Sequence, residues 1–134
     1  MTLVDTNVLL DLLTADPRWA NWSEGQLEAA ALRGPVLIND IIYAELATRY
    51  QRIEELNAFV DGSGLIMAPI SRSALFIAAK AHLLYRNAGG RKTGVLSDFF
   101  IGAQAAAEGI PLLTRDIRKY RTYFPQVELL TPEA

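Results

Sequence analysis

The sequence predicts a layered α/β domain built on a parallel sheet, and three observations point to it. Short, wholly apolar runs such as Val36-Leu37-Ile38 and Leu65-Ile66-Met67 read as strands buried on both faces. Longer stretches with helical spacing separate them, so strand and helix alternate, which means parallel pairing through right-handed crossovers. With 134 residues and 51% hydrophobic content, the chain has apolar mass for one core, and residues 1–134 are expected to form one domain.

The elements follow in order. Met1 to Val4 suffices for a short buried strand, and Val8, Leu9, Leu10, Leu12 and Leu13 read as a helix, so Asp5 to Asn7 is a strand-to-helix corner. Thr6 or Asn7 is suited to cap that helix. Asp16-Pro17 starts a second helix and Gly34-Pro35 stops it. After the strand Val36 to Ile38, Asn39 caps a helix from Asp40 to Tyr50, and a further helix, Ile53 to Asp61, ends at Gly62-Ser63-Gly64. Ser71, beyond the strand Leu65 to Met67, opens a long helix reaching Arg86. Asn87 to Gly94, with three glycines and two cations, is the most loop-like segment and is expected to be mobile. Leu96 to Glu108 reads as helix, Ile110 to Leu113 as a strand with Pro111 at its beginning, Ile117 to Tyr123 as a short helix and Val127 to Leu130 as a last strand.

Composition excludes several chemistries. Without cysteine there are no disulfides, thiolate zinc sites or cysteine nucleophiles, and a single histidine leaves no histidine pair. His82 lies on the apolar stripe of the long helix, where a core or subunit-interface role is expected, and Trp19 and Trp22 also read as core. The opening Met1-Thr2-Leu3-Val4-Asp5 lacks the basic start of a signal peptide, and no run of about 18 uncharged apolar residues is present, so a cytoplasmic protein is expected. The formal net charge of -2 gives no bulk attraction to nucleic acid. Seven of the 13 cations nevertheless fall in two windows, Arg86, Arg91 and Lys92, then Arg115, Arg118, Lys119 and Arg121. Such clusters are usually solvated faces and gain meaning only if they flank a site.

A site is indicated by acids in apolar settings. In parallel sheets ligands bind beyond the carboxyl ends of the strands, where strand order reverses. Asp5 stands just past the first strand and Thr114-Arg115-Asp116 just past the fourth, so the two acids share a crevice if those strands are neighbours. Glu45 shares a helical face with Ile41 and Ile42, and Asp98 with Ile101 and Ala105. Each has a plainer alternative: Glu45 pairing with Arg49, and Asp98 or Ser97 capping a helix. Taken together, Asp5, Glu45, Asp98 and Asp116 repel by ~3 kcal/mol per pair at ~5 Å and an effective dielectric of ~20, which calls for a cation. All-oxygen ligands favour Mg²⁺ or Mn²⁺ over zinc, and a metal held by acids suits phosphodiester hydrolysis. Thr6, Asn7 and Thr114 are placed to orient water or phosphate there.

Val-Asp-Thr-Asn-Val-Leu-Leu-Asp from Val4, Tyr-Ala-Glu-Leu around Glu45, Leu-Ser-Asp-Phe-Phe-Ile-Gly-Ala-Gln-Ala around Asp98 and Leu-Leu-Thr-Arg-Asp ending at Asp116 resemble the PIN-domain ribonucleases, specifically the small VapC-type toxins of type II toxin-antitoxin pairs. The resemblance spans essentially the whole chain and implies a three-layer α/β/α domain with strand order 3-2-1-4-5. It also implies an Mg²⁺- or Mn²⁺-dependent endoribonuclease, inhibition by a small cognate antitoxin, and a homodimer. Asp5, Glu45, Asp98 and Asp116 are then the metal-binding acids, with Thr6, Asn7 and Thr114 in support. The basic windows would flank the path of a structured or single-stranded RNA loop, with Tyr120 and Tyr123 as candidate stacking contacts or core residues.

Other readings lack their defining residues. A stand-alone PIN-type RNA-processing nuclease shares all the motifs above and stays open. A receiver-like signalling module would need a phosphorylatable Asp after its third strand, where Ala68-Pro69 stands, and a Lys after its last. A haloacid-dehalogenase-like phosphatase would need an Asp where Asn7 stands.

Overall fold

A computed structural model of the chain describes residues 1–90 and 96–132, with the Lys119 side chain outside the described set. Five parallel strands, β1 (Thr2–Val4), β2 (Val36–Ile38), β3 (Leu65–Met67), β4 (Leu112–Leu113) and β5 (Leu129–Leu130), form one sheet in the order β3-β2-β1-β4-β5. The alternation of strand and helix and the implied order both stand. Seven helices surround the sheet among the described residues: α1 (Thr6–Leu13), α2 (Ala20–Arg33), α3 (Asp40–Ala47), α4 (Ile53–Gly62), α5 (Arg72–Asn87), α6 (Leu96–Glu108) and α7 (Ile117–Tyr123). No helix among those residues is long and apolar enough to cross a membrane.

Burial follows position in the sheet. β1 lies in the middle, and Leu3, Val4, Leu112 and Leu113 are wholly excluded from solvent. β3 lies at the edge, where Ile66 and Met67 remain 50% and 42% exposed, so this strand is not the doubly buried one that its apolar run predicts. An edge strand has a neighbour on one side only, and composition does not reveal which strand takes the edge.

Local competition for backbone amides moves three helix ends. Asp5, rather than Thr6 or Asn7, is the cap of α1: its backbone is extended and its Oδ1 accepts the Thr6 N–H at 2.7 Å. α2 begins at Ala20 because the Asp16 carboxylate accepts the N–H groups of both Arg18 and Trp19 at 2.9 Å, closing a turn where Asp-Pro predicts a helix start. α3 stops at Ala47, short of Tyr50, as the Arg49 and Tyr50 N–H groups turn to carbonyls three residues back and the Thr48 hydroxyl takes the Glu45 carbonyl. The strand expected over Ile110 to Leu113 retains only its last two residues, and the one expected from Val127 begins at Leu129.

Two contacts hold the helices that carry acids. Asn39, fully buried at the end of β2, accepts the Ile42 N–H at 2.9 Å and so caps α3, while its Nδ2 donates to Gln104 Oε1 at 2.7 Å. Gln104 in turn donates to the Ala68 and Pro69 carbonyls at 3.2 Å, so one buried amide pair joins α3, α6 and the segment after β3. Gly102 lets the Phe124 ring rest against α6, since a Cβ there would stand 2.4 Å from the ring. At the opposite end of the sheet, the turns from α4 into β3 and from α6 into β4 pass through Gly64 and Gly109, at φ of 70° and 64°. We expect Asn39→Ala to destabilise the protein by about 2–4 kcal/mol in urea unfolding, combining a lost cap with an orphaned Gln104 acceptor.

Candidate active site

Asp5 is buried to 4% exposure at the carboxyl end of the central strand, and four donors serve its carboxylate. Oδ1 takes the Thr6 N–H. Oδ2 accepts the Thr114 hydroxyl at 2.7 Å, the Tyr120 hydroxyl at 2.9 Å and Asn7 Nδ2 at 3.3 Å. Because β1 and β4 are direct neighbours, the crevice expected between Asp5 and the Thr114–Asp116 turn exists, and the Asp5 N–H itself bonds the Leu113 carbonyl.

The other acids approach by different routes. Asp98, in the first turn of α6, accepts the same Tyr120 hydroxyl at 3.4 Å, so Tyr120 bridges Asp5 and Asp98. Asp116 stands at the start of α7 without a side-chain capping bond; its N–H bonds Thr114 Oγ1 at 3.0 Å and its charge acts on the Tyr120 hydroxyl. Glu45 does not pair with Arg49; it accepts the Thr6 hydroxyl at 2.6 Å and the Ser97 hydroxyl at 3.4 Å, side chains next in sequence to Asp5 and Asp98. Asp5 and Asp98 thus share one hydroxyl, Asp116 is tied to Thr114 through its backbone N–H, and Glu45 is joined through the residues beside Asp5 and Asp98. Among the described residues no three acidic or histidine side chains stand close enough together, as placed, to hold one ion.

Where it stands, the Asp5 carboxylate is costly to keep charged. Burial pushes the Asp5 carboxyl up to about 6; the Thr114 hydroxyl draws it down, the charge of Asp98 pushes it up, and the Tyr120 hydroxyl and Thr6 amide draw it down again. Burial, then the charges of Asp5 and Asp98, likewise holds the Tyr120 hydroxyl well above its ordinary range, so it acts as a neutral donor. Three donors converge on one carboxylate oxygen, and the carboxylates and hydroxyls around it are hard oxygen ligands. This donor set fits Mg²⁺ or Mn²⁺.

The remaining sequence candidates divide. Thr6, Asn7 and Thr114 all touch the acids. Arg118 and Arg121 are exposed on α7, while Arg86 lines a different depression, with Phe76, Lys80, Leu83 and Phe100. Arg91 and Lys92, with the second half of the loop expected to be mobile, lie outside the described residues, as does the Lys119 side chain. Arg115 is not free for RNA: its guanidinium is bonded to Asp11. Tyr120 is no stacking platform either, because its ring is wholly buried; Tyr123 is half-buried against Phe99 and Tyr85. The bridging role of the Tyr120 hydroxyl was not anticipated. The available signal was its spacing, four residues after Asp116 and hence on the same helical face. His82 packs edge-on against Phe99, with its Nε2 buried and lacking a hydrogen-bond partner among the described residues. Trp19 and Trp22 meet edge to face at the rim of the core rather than within it.

Residues 2–125 match the PIN domain, and the chain belongs to that family. The fold recurs in toxin-antitoxin complexes. A VapBC2 structure from Rickettsia felis, bound to a DNA fragment from its promoter, superposes with a TM-score of 0.75 at 20% identity, covering 98% of each chain. VapBC-1 from nontypeable Haemophilus influenzae gives 0.71 at 15% identity over 97% of this chain and 96% of that one. A toxin-antitoxin complex from Klebsiella pneumoniae gives 0.65 at 25% identity over 99% and 98%. No curated protein matches the chain in sequence. Membership in the PIN family sets aside the receiver-like alternative and makes a nuclease the class of enzyme.

The Asp5 environment has a measurable signature. Its folded-state value lies above the ordinary 3.8, so the native protein keeps a proton that the unfolded chain sheds. The resulting stabilisation is complete below about pH 4 and is lost as pH rises through about 6, a change on the order of 3 kcal/mol. In chelator, urea unfolding should therefore show stability from this group falling between pH 4 and 7, and Asp5→Asn should flatten that slope. An unchanged slope in the folded variant contradicts the assignment.

Proposed function

We propose that this chain is an Mg²⁺- or Mn²⁺-dependent endoribonuclease and the toxin of a type II toxin-antitoxin pair. The observation that carries the reading is the bridging of Asp5 and Asp98 by one hydroxyl at the carboxyl end of a PIN-domain sheet, with Asp116 and Glu45 tied in beside them. Asp5, Asp98 and Asp116 would hold the metal, with Glu45 completing the acidic set. A bound Mg²⁺ or Mn²⁺ supplies Lewis acidity toward the scissile phosphate and lowers the pKa of an attacking water. The chain's own contribution is orientation: Thr114, Asn7 and Tyr120 fix one oxygen of Asp5, and Thr6 and Ser97 fix Glu45. Arg118 and Arg121, exposed on α7, would meet the RNA backbone beside Asp116.

The toxin role draws support from fold neighbours that were solved as toxin-antitoxin complexes, two of them named above as VapBC pairs. A cognate antitoxin is the partner this implies, and the cytoplasm, where RNA is available, is the compartment. A second copy of the chain is a further expected partner. Phe76, Leu83 and Leu84 on α5 are 64%, 50% and 64% exposed, apolar area of the kind that a subunit interface covers. The stand-alone RNA-processing nuclease is the second reading, since it uses the same acids.

The purified protein should cleave single-stranded RNA with Mg²⁺ or Mn²⁺ and stop when chelator is added. Asp5→Asn and Asp98→Asn should each lower the rate by more than ~100-fold, beyond the usual loss for a residue that merely supports a ligand. Undiminished cleavage by both folded variants would sink the site. Expression alone should arrest growth, and co-expression of a neighbouring small open reading frame should relieve it; absence of both effects favours the stand-alone enzyme.

A further inference from the structure

We infer that Arg115 is a positioning residue: through a two-pronged ion pair with Asp11, it holds the Thr114–Asp116 turn against α1 and so sets where the Asp116 carboxylate stands. The inference rests on the metal-nuclease reading above and deepens it.

Arg115 lies in the basic window beside Asp116, where charge alone marks it for RNA. Its contacts say otherwise. Nε donates to Asp11 Oδ2 at 2.7 Å and Nη2 to Asp11 Oδ1 at 2.8 Å, the parallel fork that guanidinium and carboxylate form best. Asp11 is 2% exposed, and the Ser23 hydroxyl also donates to it, at 2.7 Å. A carboxylate so buried is tolerable only when paired, so Asp11 keeps Arg115 engaged. The guanidinium also lies 5.1 Å from the centre of the Trp19 ring, which the Arg18 guanidinium faces at 4.9 Å.

What this clasp holds is the turn carrying site residues. β4 is two residues long, and the next three positions are each tied by a different bond. Thr114 donates to Asp5 at 2.7 Å, the Arg115 N–H bonds Asn7 Oδ1 at 3.2 Å, and the Asp116 N–H returns to Thr114 Oγ1 at 3.0 Å. Asn7 closes the set by donating to both Asp5 and Thr114 at 3.3 Å. The side chain of Asp116 makes no capping bond to α7, so its location depends on how the turn is held. Of the side chains in that turn, Arg115 alone reaches past the acids to α1's interior face at Asp11, and through Ser23 to α2.

The test compares Arg115→Gln, Asp11→Asn and the double variant with the unaltered full-length chain. Mn²⁺ affinity is read by calorimetry, and binding of a short single-stranded RNA is read in EDTA across salt concentrations. Each single variant should bind Mn²⁺ ~10-fold more weakly, the range for partners that orient a ligand. The double should be no worse than the weaker single, since both act through one contact. The salt dependence of RNA binding should stay as in the unaltered chain, and Trp19 emission should shift alike in both singles. Should a single variant fail to fold, Asp11→Leu with Arg115→Met replaces the pair by apolar groups and carries the same expectation for Mn²⁺. Folded variants that bind Mn²⁺ as well as the unaltered chain overturn the inference. A salt slope reduced by about one in Arg115→Gln also overturns it, marking a phosphate contact. If the unaltered chain itself binds no Mn²⁺ and cuts no RNA, the metal-nuclease reading fails, and the inference with it.

Discussion

The structure depends on keeping one carboxylate where water hardly reaches. Asp5 ends the central strand of a five-stranded sheet, between two neighbours and beneath α1, so no solvent can compensate its charge. Protein groups must do so, and they come from the whole length of the chain: a backbone amide next in sequence, an amide side chain on α1, a hydroxyl after β4 and a phenol on α7. Each of these requires a piece of fold to be in place. The β1–β4 pairing brings Thr114 within reach, and the packing of Phe124 on Gly102 brings α7 and its Tyr120 across α6.

This explains why folding and chemistry are entangled at the site. The donors that make Asp5 tolerable are the same groups that orient it, so the cost of its burial and the precision of its position have one cause. Glu45 stands apart in this respect. It is half-buried on α3 and joined through Thr6 and Ser97, so it is coupled to the centre through neighbours rather than through the sheet.

Much of this was legible in the sequence, and the exceptions are instructive. β2, β3 and the extents of α6 and α7 were read correctly because apolar runs and helix stops are local signals. The acids and their hydroxyl companions were legible because acids in apolar settings, arranged in family-like motifs, stand out from surface charge. The shorter second helix was not, because Asp16 chooses between capping a helix and closing a turn on energies that neither residue type nor spacing reveals. The partners of Tyr120, which the sequence leaves between a stacking and a core role, and of Arg115 were hidden for a deeper reason. A phenol and a guanidinium on a short basic helix and its approach look like RNA contacts until their partners are known, and those partners, Asp5, Asp98 and Asp11, lie far away in sequence.

The two ends of the sheet differ in kind. At the end where strands run into helices, nearly every side chain named above is engaged in the site. At the other end, the helices return to the strands through abrupt turns such as those at Gly64 and Gly109, which carry conformation but no chemistry. Substitutions at the first end bear on the acids and on the buried caps that share that end with them, whereas those at the second bear on the turns alone. The fold that presents the acids can therefore be separated from the acids themselves by altering one rim alone.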